Sequence, residues 1–208
     1  MEKMSEARVE MIAEDIARAG KPALLFGPPG SGKIMIARRV VKYLPPIGHP
    51  QEAFEIAWIY MSANLVPPGV NPDPSAVRRG EMQRPFRAPH HSVSLAGMVG
   101  TKRYPVGELG LAHGGVLFLD ELPEFNERVI EAVSRAMDTG LVPGQPAFVP
   151  ARFLLVASAN PCLCGWHRRE ERACVCSGEA VQRYRARLER YRRALGLTPV
   201  PIPIVGWR

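Results

Sequence analysis

The stretch "GPPGSGKI", Gly27 to Ile34, spaces its glycines and lysine as G-x-x-x-x-G-K. Gly27, Gly30 and Gly32, with Pro28, Pro29 and Ser31 between them, let the backbone bend so that successive N–H groups point inward at an anion. A helix starting near Lys33 adds its positive end, and Lys33 itself places a point charge suited to the β- and γ-phosphates of a nucleotide. The pattern then asks for Ser or Thr, whose hydroxyl ligates Mg²⁺, and the chain supplies Ile34. Isoleucine keeps the β-branch and approximate size of threonine without the oxygen. ATP binding through backbone N–H groups is therefore expected to survive, with a weakened Mg²⁺ site and impaired hydrolysis. Ser31 is a nearby hydroxyl, but it lies before Gly32 and needs a different loop shape to substitute. The competing reading is a Gly/Pro turn that merely joins a strand to a helix.

Two further places suit the same chemistry. Asp120 and Glu121 follow the apolar run "VLFL". An acid pair there suits a metal-facing Asp120 and a Glu121 that orients or deprotonates an attacking water. Asn160 ends "ARFLLVASAN", at the strand end where ligands of open α/β sheets bind, and its amide could hold the same water. Each alone could be a mere strand end or helix cap.

The four cysteines, Cys162, Cys164, Cys174 and Cys176, all fall in one short segment. Two C-x-C pairs separated by nine residues can bring four thiolates together, as a tetrahedral zinc site requires. The spacing is tighter than the usual C-x₂-C, and free thiols or a redox disulfide remain the alternatives. In "FRAPHH", His90 and His91 follow Arg87. Adjacent histidines on an extended segment point to opposite sides, which disfavours a shared ion. Hydrogen-bonded loop histidines are the simpler reading, and His113 is read as structural.

Elements that could position these groups follow from periodicity. The first twenty residues give an amphipathic helix ending at Gly20, and "KPALLFG" a buried strand entering the glycine loop. "SGKIMIARRVVKYLPP" gives a helix stopped by Pro45 and Pro46. Residues 51–65 are expected to be helical in part, and 66–90, rich in Pro and Arg, to be loops. "GGVLFLDE" and "ARFLLVASAN" are further buried strands. Between them "EFNERVIEAVSRAMDTG" is a helix with Phe125, Val129, Val133 and Met137 on one face and Gly140 at its cap. Continuous apolar strands alternating with helices argue for an α/β fold, a mainly parallel sheet covered on both sides. In "EAVQRYRARLERYRRALG", Val181, Tyr184, Leu188, Tyr191 and Leu195 form a stripe that must pack on something; left uncovered, it leads to association or aggregation. The following "LTPVPIPIVGWR" is expected to be extended, with no partner strand that the sequence identifies.

The composition is ordinary for a globular chain of 208 residues, 46% hydrophobic and 23% charged. No apolar run approaches the roughly 20 residues of a membrane span. The charged N-terminus lacks the apolar core of an export signal, so a cytoplasmic location is expected. The net charge of +7 is uneven: residues 168–193 hold nine arginines against four glutamates, a surplus of five. That segment is either a polyanion contact or a solvated helix face.

Taken in order, "GPPGSGK", "RPFRAPHHS", "GELGLAHGGVLFLDELPEF", "ARFLLVASANPCLCG" and "CVCS" resemble the Mg-chelatase-like AAA+ ATPases of the YifB/ComM type, from about residue 6 to Leu188. The resemblance implies a three-layer P-loop NTPase core with Walker A at Gly27–Lys33, Walker B at Asp120 and Glu121, and sensor 1 at Asn160. It also implies the helix-2-type insert of this branch, at roughly 66–113. A core over 1–160 would then be followed by a Cys-rich loop (161–178) and by an Arg-rich helix with a Pro-rich tail (179–208). Relatives are linked to DNA processing during competence as ATP-driven rings, which implies ATP, DNA and further copies, of itself or of full-length relatives, as partners. The chain departs from the pattern at Ile34 and after "RYRARL", where the family continues into a helical lid that has no counterpart here. Three readings stand: an ATP-binding module with impaired turnover, a non-catalytic nucleotide- or nucleic-acid-binding protein, and a degenerate remnant.

Overall fold

A computed structural model describes residues 5–69, 82–143, 148–168 and 172–202. Its centre is a five-stranded parallel sheet in the order β2-β3-β6-β1-β7. The strands are β1 (Ala23–Phe26), β2 (Phe86–Arg87), β3 (Val116–Leu119), β6 (Leu154–Ala159) and β7 (Thr198–Pro201). A separate antiparallel hairpin joins β4 (Leu141–Pro143) to β5 (Phe148–Pro150).

Alternation along each central strand explains the layers. Ala23, Leu25, Val116, Phe118 and Val156 point to one face of the sheet. There they meet Val9, Ala13 and Ile16 of α1 (Glu6–Ala19) and Ile36, Ala37 and Val40 of α2 (Lys33–Tyr43). Leu24, Leu117, Leu119, Leu155 and Ala157 point to the other face. They pack with α3 (Pro50–Ser62), α4 (Leu95–Val99), α5 (Glu108–Leu111), α6 (Glu127–Thr139) and α7 (Gly178–Ala194). Both faces of the sheet are covered, the expected three-layer α/β arrangement. Local chemistry sets the helix ends. Gly20 and Gly140 take left-handed φ of 59° and 70° at the ends of α1 and α6. The Asn126 side chain accepts the Arg128 N–H at the start of α6, and Ser177 accepts that of Ala180 at the start of α7.

The stripe on α7 is covered: Val181, Tyr184, Leu188, Tyr191 and Leu195 are all buried. The tail has a partner strand after all. β7 pairs in parallel with β1, Thr198 donating to Pro22 O at 2.9 Å and Ile202 to Phe26 O at 2.7 Å. In a parallel ladder alternate residues of a strand face a given neighbour. Thr198, Val200 and Ile202 thus face β1, while Pro199 and Pro201 fall where an N–H would point away from the sheet. Proline costs an edge strand nothing at those positions.

The 66–90 segment is not all loop, since β2 lies within it; residues 70–81 fall outside the described residues. His90 and His91 also differ from expectation. The chain turns at His91 and Ser92, and the Ser92 N–H reaches His90 Nδ1 at 3.3 Å. The two rings therefore lie together, centroids 4.0 Å apart, instead of on opposite sides. His113 is buried, accepting the Arg152 N–H on Nδ1 (3.1 Å) and donating from Nε2 to Glu55 (3.0 Å). This is the satisfied neutral imidazole of a structural histidine, with its pKa lowered by burial.

Candidate nucleotide site and cysteine cluster

β1, β3 and β6 are neighbours, so the loops after them converge at one edge of the sheet. The glycine loop follows β1, Asp120 and Glu121 follow β3, and Asn160 follows β6. Gly27 donates its N–H to Ala159 O at 3.1 Å, tying the loop's first residue to the end of β6. A Cβ on Gly27 would lie 2.6 Å from Ile202 O, so only glycine lets the end of β7 press against the loop. Gly30 and Gly32 hold φ of 75° and 83°, the left-handed region that glycine adopts without strain. Pro28 is buried, while Pro29 and Gly30 are exposed at the crest.

Lys33 is buried, and its Nζ donates to Gly27 O (2.8 Å), Pro28 O (2.8 Å) and Asn160 Oδ1 (2.9 Å). These three bonds use every donor an ammonium has. Desolvation lowers the Lys33 pKa to about 8, against the opposing pull of the Asp120 and Glu121 carboxylates. Asn160 connects the acids to the loop: it accepts from Lys33, and its Nδ2 donates to Glu121 Oε1 at 3.5 Å. Its backbone N–H donates to Tyr184 Oη at 3.2 Å, so α7 helps to hold it.

Ser158 and Tyr184 belong to this constellation and were not singled out by motif. The Ser158 hydroxyl donates to Asp120 Oδ1 and accepts the Glu121 N–H at 3.0 Å. A serine inside the apolar run of β6 was the available signal, because a buried hydroxyl needs partners. Glu121 itself sits at φ 55°, a left-handed conformation that costs a non-glycine residue about 1–3 kcal/mol and concentrates at functional sites. Ile34, in the first turn of α2, is 42% exposed and brings no oxygen to this edge. The Ser31 Oγ is buried with no hydrogen-bond partner among the described residues.

The four cysteines come together. Cys162 Sγ lies 3.5 Å from Cys164 Sγ and 3.7 Å from Cys174 Sγ, and the latter two are 3.6 Å apart. All four sulfurs fall within 4.8 Å of one another. Sulfurs each about 2.3 Å from a central zinc would be roughly 3.8 Å apart, whereas a disulfide needs about 2.05 Å. The cluster thus has the dimensions of a metal site, and the four thiols are free. Burial opposes ionisation of Cys164, yet N–H groups of Trp166 and Val175 and the neighbouring thiols bring its pKa down to about 6. At Cys174 and Cys176 a backbone N–H favours the thiolate, but burial and the same thiol contacts push both pKa values up. Backbone donors aimed at sulfur suit thiolate ligands.

The arginines of α7 are largely engaged within the chain. Arg187 donates to Phe125 O at 2.7 Å, Arg190 pairs with Glu127 at 2.9 Å and Arg183 with Glu179 at 3.4 Å. Arg192 and Arg193 both grip Glu189, whose pKa their hydrogen bonds hold down to about 2. Elsewhere Arg87 forms a two-bond pair with Glu108, each bond 2.7 Å. No described helix is long and apolar enough to cross a membrane.

Comparison with known proteins bears on this arrangement. YifB of Salmonella typhimurium is 40% identical over 180 residues, covering 84% of this chain and 33% of that protein. The competence protein ComM of Haemophilus influenzae is 44% identical over 152 residues, covering 70% of this chain and 28% of its own. This chain therefore spans about a third of the length of the curated relatives it matches. Among solved structures, NtrX from Brucella abortus in complex with ATP superposes with a TM-score of 0.58 at 17% identity, over 99% of this chain and 39% of that one. That likeness supports the AAA+ fold. The family described as magnesium chelatase, subunit ChlI, matches residues 1–191, and the chain, an α/β protein with the AAA+ core, belongs to it.

Proposed function

We propose that this chain is an ATP-binding AAA+ module with impaired hydrolysis. The carrying observation is the convergence of Lys33, Asp120, Glu121 and Asn160 on the glycine loop at the ends of three adjacent parallel strands. The donor set fits a nucleotide. The left-handed glycines shape a loop whose N–H groups suit phosphate oxygens, and the orphaned Ser31 hydroxyl is a further donor inside it. Lys33 would exchange a loop carbonyl for a phosphate oxygen, which relieves the burial of its charge. Glu121 then orients or deprotonates a water that Asn160 helps to hold. A magnesium ion on Asp120 and the phosphates would neutralise charge between the β- and γ-phosphates, but Ile34 leaves that ion one protein oxygen short.

ADP titrated calorimetrically into the parent chain and Lys33→Ala tests the binding half of this reading. The parent binds and the variant does not. Because phosphates favour the charged ammonium, ADP binding draws a proton onto Lys33 once it has deprotonated in the free chain. Affinity is therefore flat below pH 8 and falls up to tenfold per pH unit above it. Equal binding by both proteins at every pH defeats the assignment of Lys33.

The metal reading of the cysteine cluster is zinc, from four sulfur ligands that all lie within 4.8 Å of one another. Elemental analysis of the purified chain should find one zinc per molecule, and none after all four cysteines are changed to serine.

A link to DNA processing enters through the ComM relative, whose name records competence, and through the basic α7. Its test is binding to a DNA duplex as salt is raised from 50 to 200 mM. The intramolecular pairing of the α7 arginines leaves few cations for phosphate, so the expected slope is shallow, with roughly two or three phosphates engaged. No binding at the lower salt removes DNA from the proposal.

A further inference from the structure

The cysteine cluster and the nucleotide loop touch. The turn over Cys162–Gly165 is closed by the Gly165 N–H donating to Cys162 O at 2.9 Å, with Gly165 at φ 85°. A Cβ on Gly165 would lie 2.3 Å from Pro29 Cδ and 2.4 Å from Pro29 Cγ. The turn's backbone therefore lies directly against the ring at the crest of the loop. A second connection runs through the chain itself. Cys162, fully buried, stands two residues after Asn160, which receives the Lys33 hydrogen bond.

The segment carrying Cys174 and Cys176 is held to this turn differently. Among the described residues, no backbone N–H···O=C bond joins residues 162–168 to 172–177. Sulfur makes the junction, through the close Sγ contacts and the Cys164 N–H on Cys176 Sγ at 3.4 Å. Thiol contacts of this kind are weak, whereas four metal–thiolate bonds fix the relative positions of both segments. An ion at the cluster thus decides whether the turn behind Pro29 is rigid.

We propose that a thiophilic divalent cation held by Cys162, Cys164, Cys174 and Cys176 clamps the phosphate-binding loop through the Gly165–Pro29 contact, so that metal and nucleotide strengthen each other's binding. This rests on the metal reading above and adds a coupling between two sites. The coupling is reciprocal by thermodynamic necessity: whatever factor zinc adds to nucleotide affinity, nucleotide adds to zinc affinity. A loop backed by a fixed turn is pre-organised for phosphate, and a loop backed by a loose one must be ordered at the moment of binding.

The experiment uses the whole chain, zinc and ADP. Calorimetry compares ADP affinity before and after a zinc-selective chelator, with magnesium held constant, and again after zinc is restored. The expected loss on stripping is about five-fold or more, fully recovered on reloading. In the reverse direction, saturating ADP slows zinc transfer to a chromophoric chelator. Should the stripped chain unfold, this second arm decides alone, because it starts from loaded protein. Pro29→Ala, which removes the ring the turn leans on, should still bind one zinc but bring the coupling factor toward one. Zinc bound at one per chain with no effect of either ligand on the other overturns the clamp and leaves the metal site standing. A chain that binds ADP normally and never holds zinc overturns both.

Discussion

Replacing Ile34 with threonine is expected to raise MgATP turnover more than 100-fold over a nearly silent parent, with little change in stability. A lost hydroxyl ligand costs about 3 kcal/mol in the transition state, and each 1.36 kcal/mol is a factor of ten in rate. The site can accept the change. Ile34 is 42% exposed in the first turn of α2, outside the core, and threonine keeps its β-branch. Surface substitutions of this sort shift folding free energy by about 0.5 kcal/mol or less. Urea midpoints should therefore match while rates diverge. Two silent proteins that both bind ATP would move the lesion away from Ile34. Substantial and equal rates would mean that the hydroxyl position is not where the metal is controlled.

Deleting everything after Gly196 is expected to unfold the chain, or nearly so, and to abolish ADP binding. The deletion removes β7 and two almost fully buried side chains, Leu197 and Ile202, at 2% and 1% exposure. It also uncovers the outer edge of β1, losing the bonds from Thr198 to Pro22 and from Ile202 to Phe26. Truncating one buried aliphatic side chain costs about 2–5 kcal/mol, so losing two approaches the 5–15 kcal/mol that stabilises a typical domain. Ile202→Ala is the milder form. It should lower the urea midpoint by an amount worth about 2–5 kcal/mol and keep the fold, with ADP affinity little changed in the folded protein, because the Ile202 carbonyl and Cβ that abut Gly27 remain in alanine. A deletion with an unchanged midpoint and unchanged ADP affinity would show that β7 is an ornament of the sheet.

How much of this was legible in the sequence depended on how local each feature is. The glycine loop, the strands before Asp120 and Asn160, the stripe on α7 and the glycines that end α1 and α6, Gly20 and Gly140, are written in short windows, and the structure contains them. The conformation of the tail was also legible, since alternating prolines enforce extension, but its neighbour was not. Pairing Thr198–Pro201 with Ala23–Phe26 joins residues some 175 apart, and nothing within either segment names the other. Tyr184 shows a related limit. Its spacing revealed a packing face, while its hydroxyl, at the far end of the ring, supports Asn160. Lys33 was read as a cation waiting for phosphate, yet it is fully engaged by Gly27, Pro28 and Asn160, because a buried ammonium cannot stay unpaired. The paired histidine rings were missed because two residues of turn defeat the alternation that an extended chain obeys.

The prolines of β7 have a consequence for how copies of this chain can meet. A sheet normally grows or fuses by offering unpaired N–H groups at its rim to a strand from another molecule. On this rim Pro199 and Pro201 have none to offer, and at the opposite rim β2 is two residues long, with Pro85 immediately before it and Pro89 just beyond. Edge-to-edge pairing of the central sheet with another copy is thereby disfavoured at both rims. Helix faces and loops are left as the surfaces through which copies of this domain could meet.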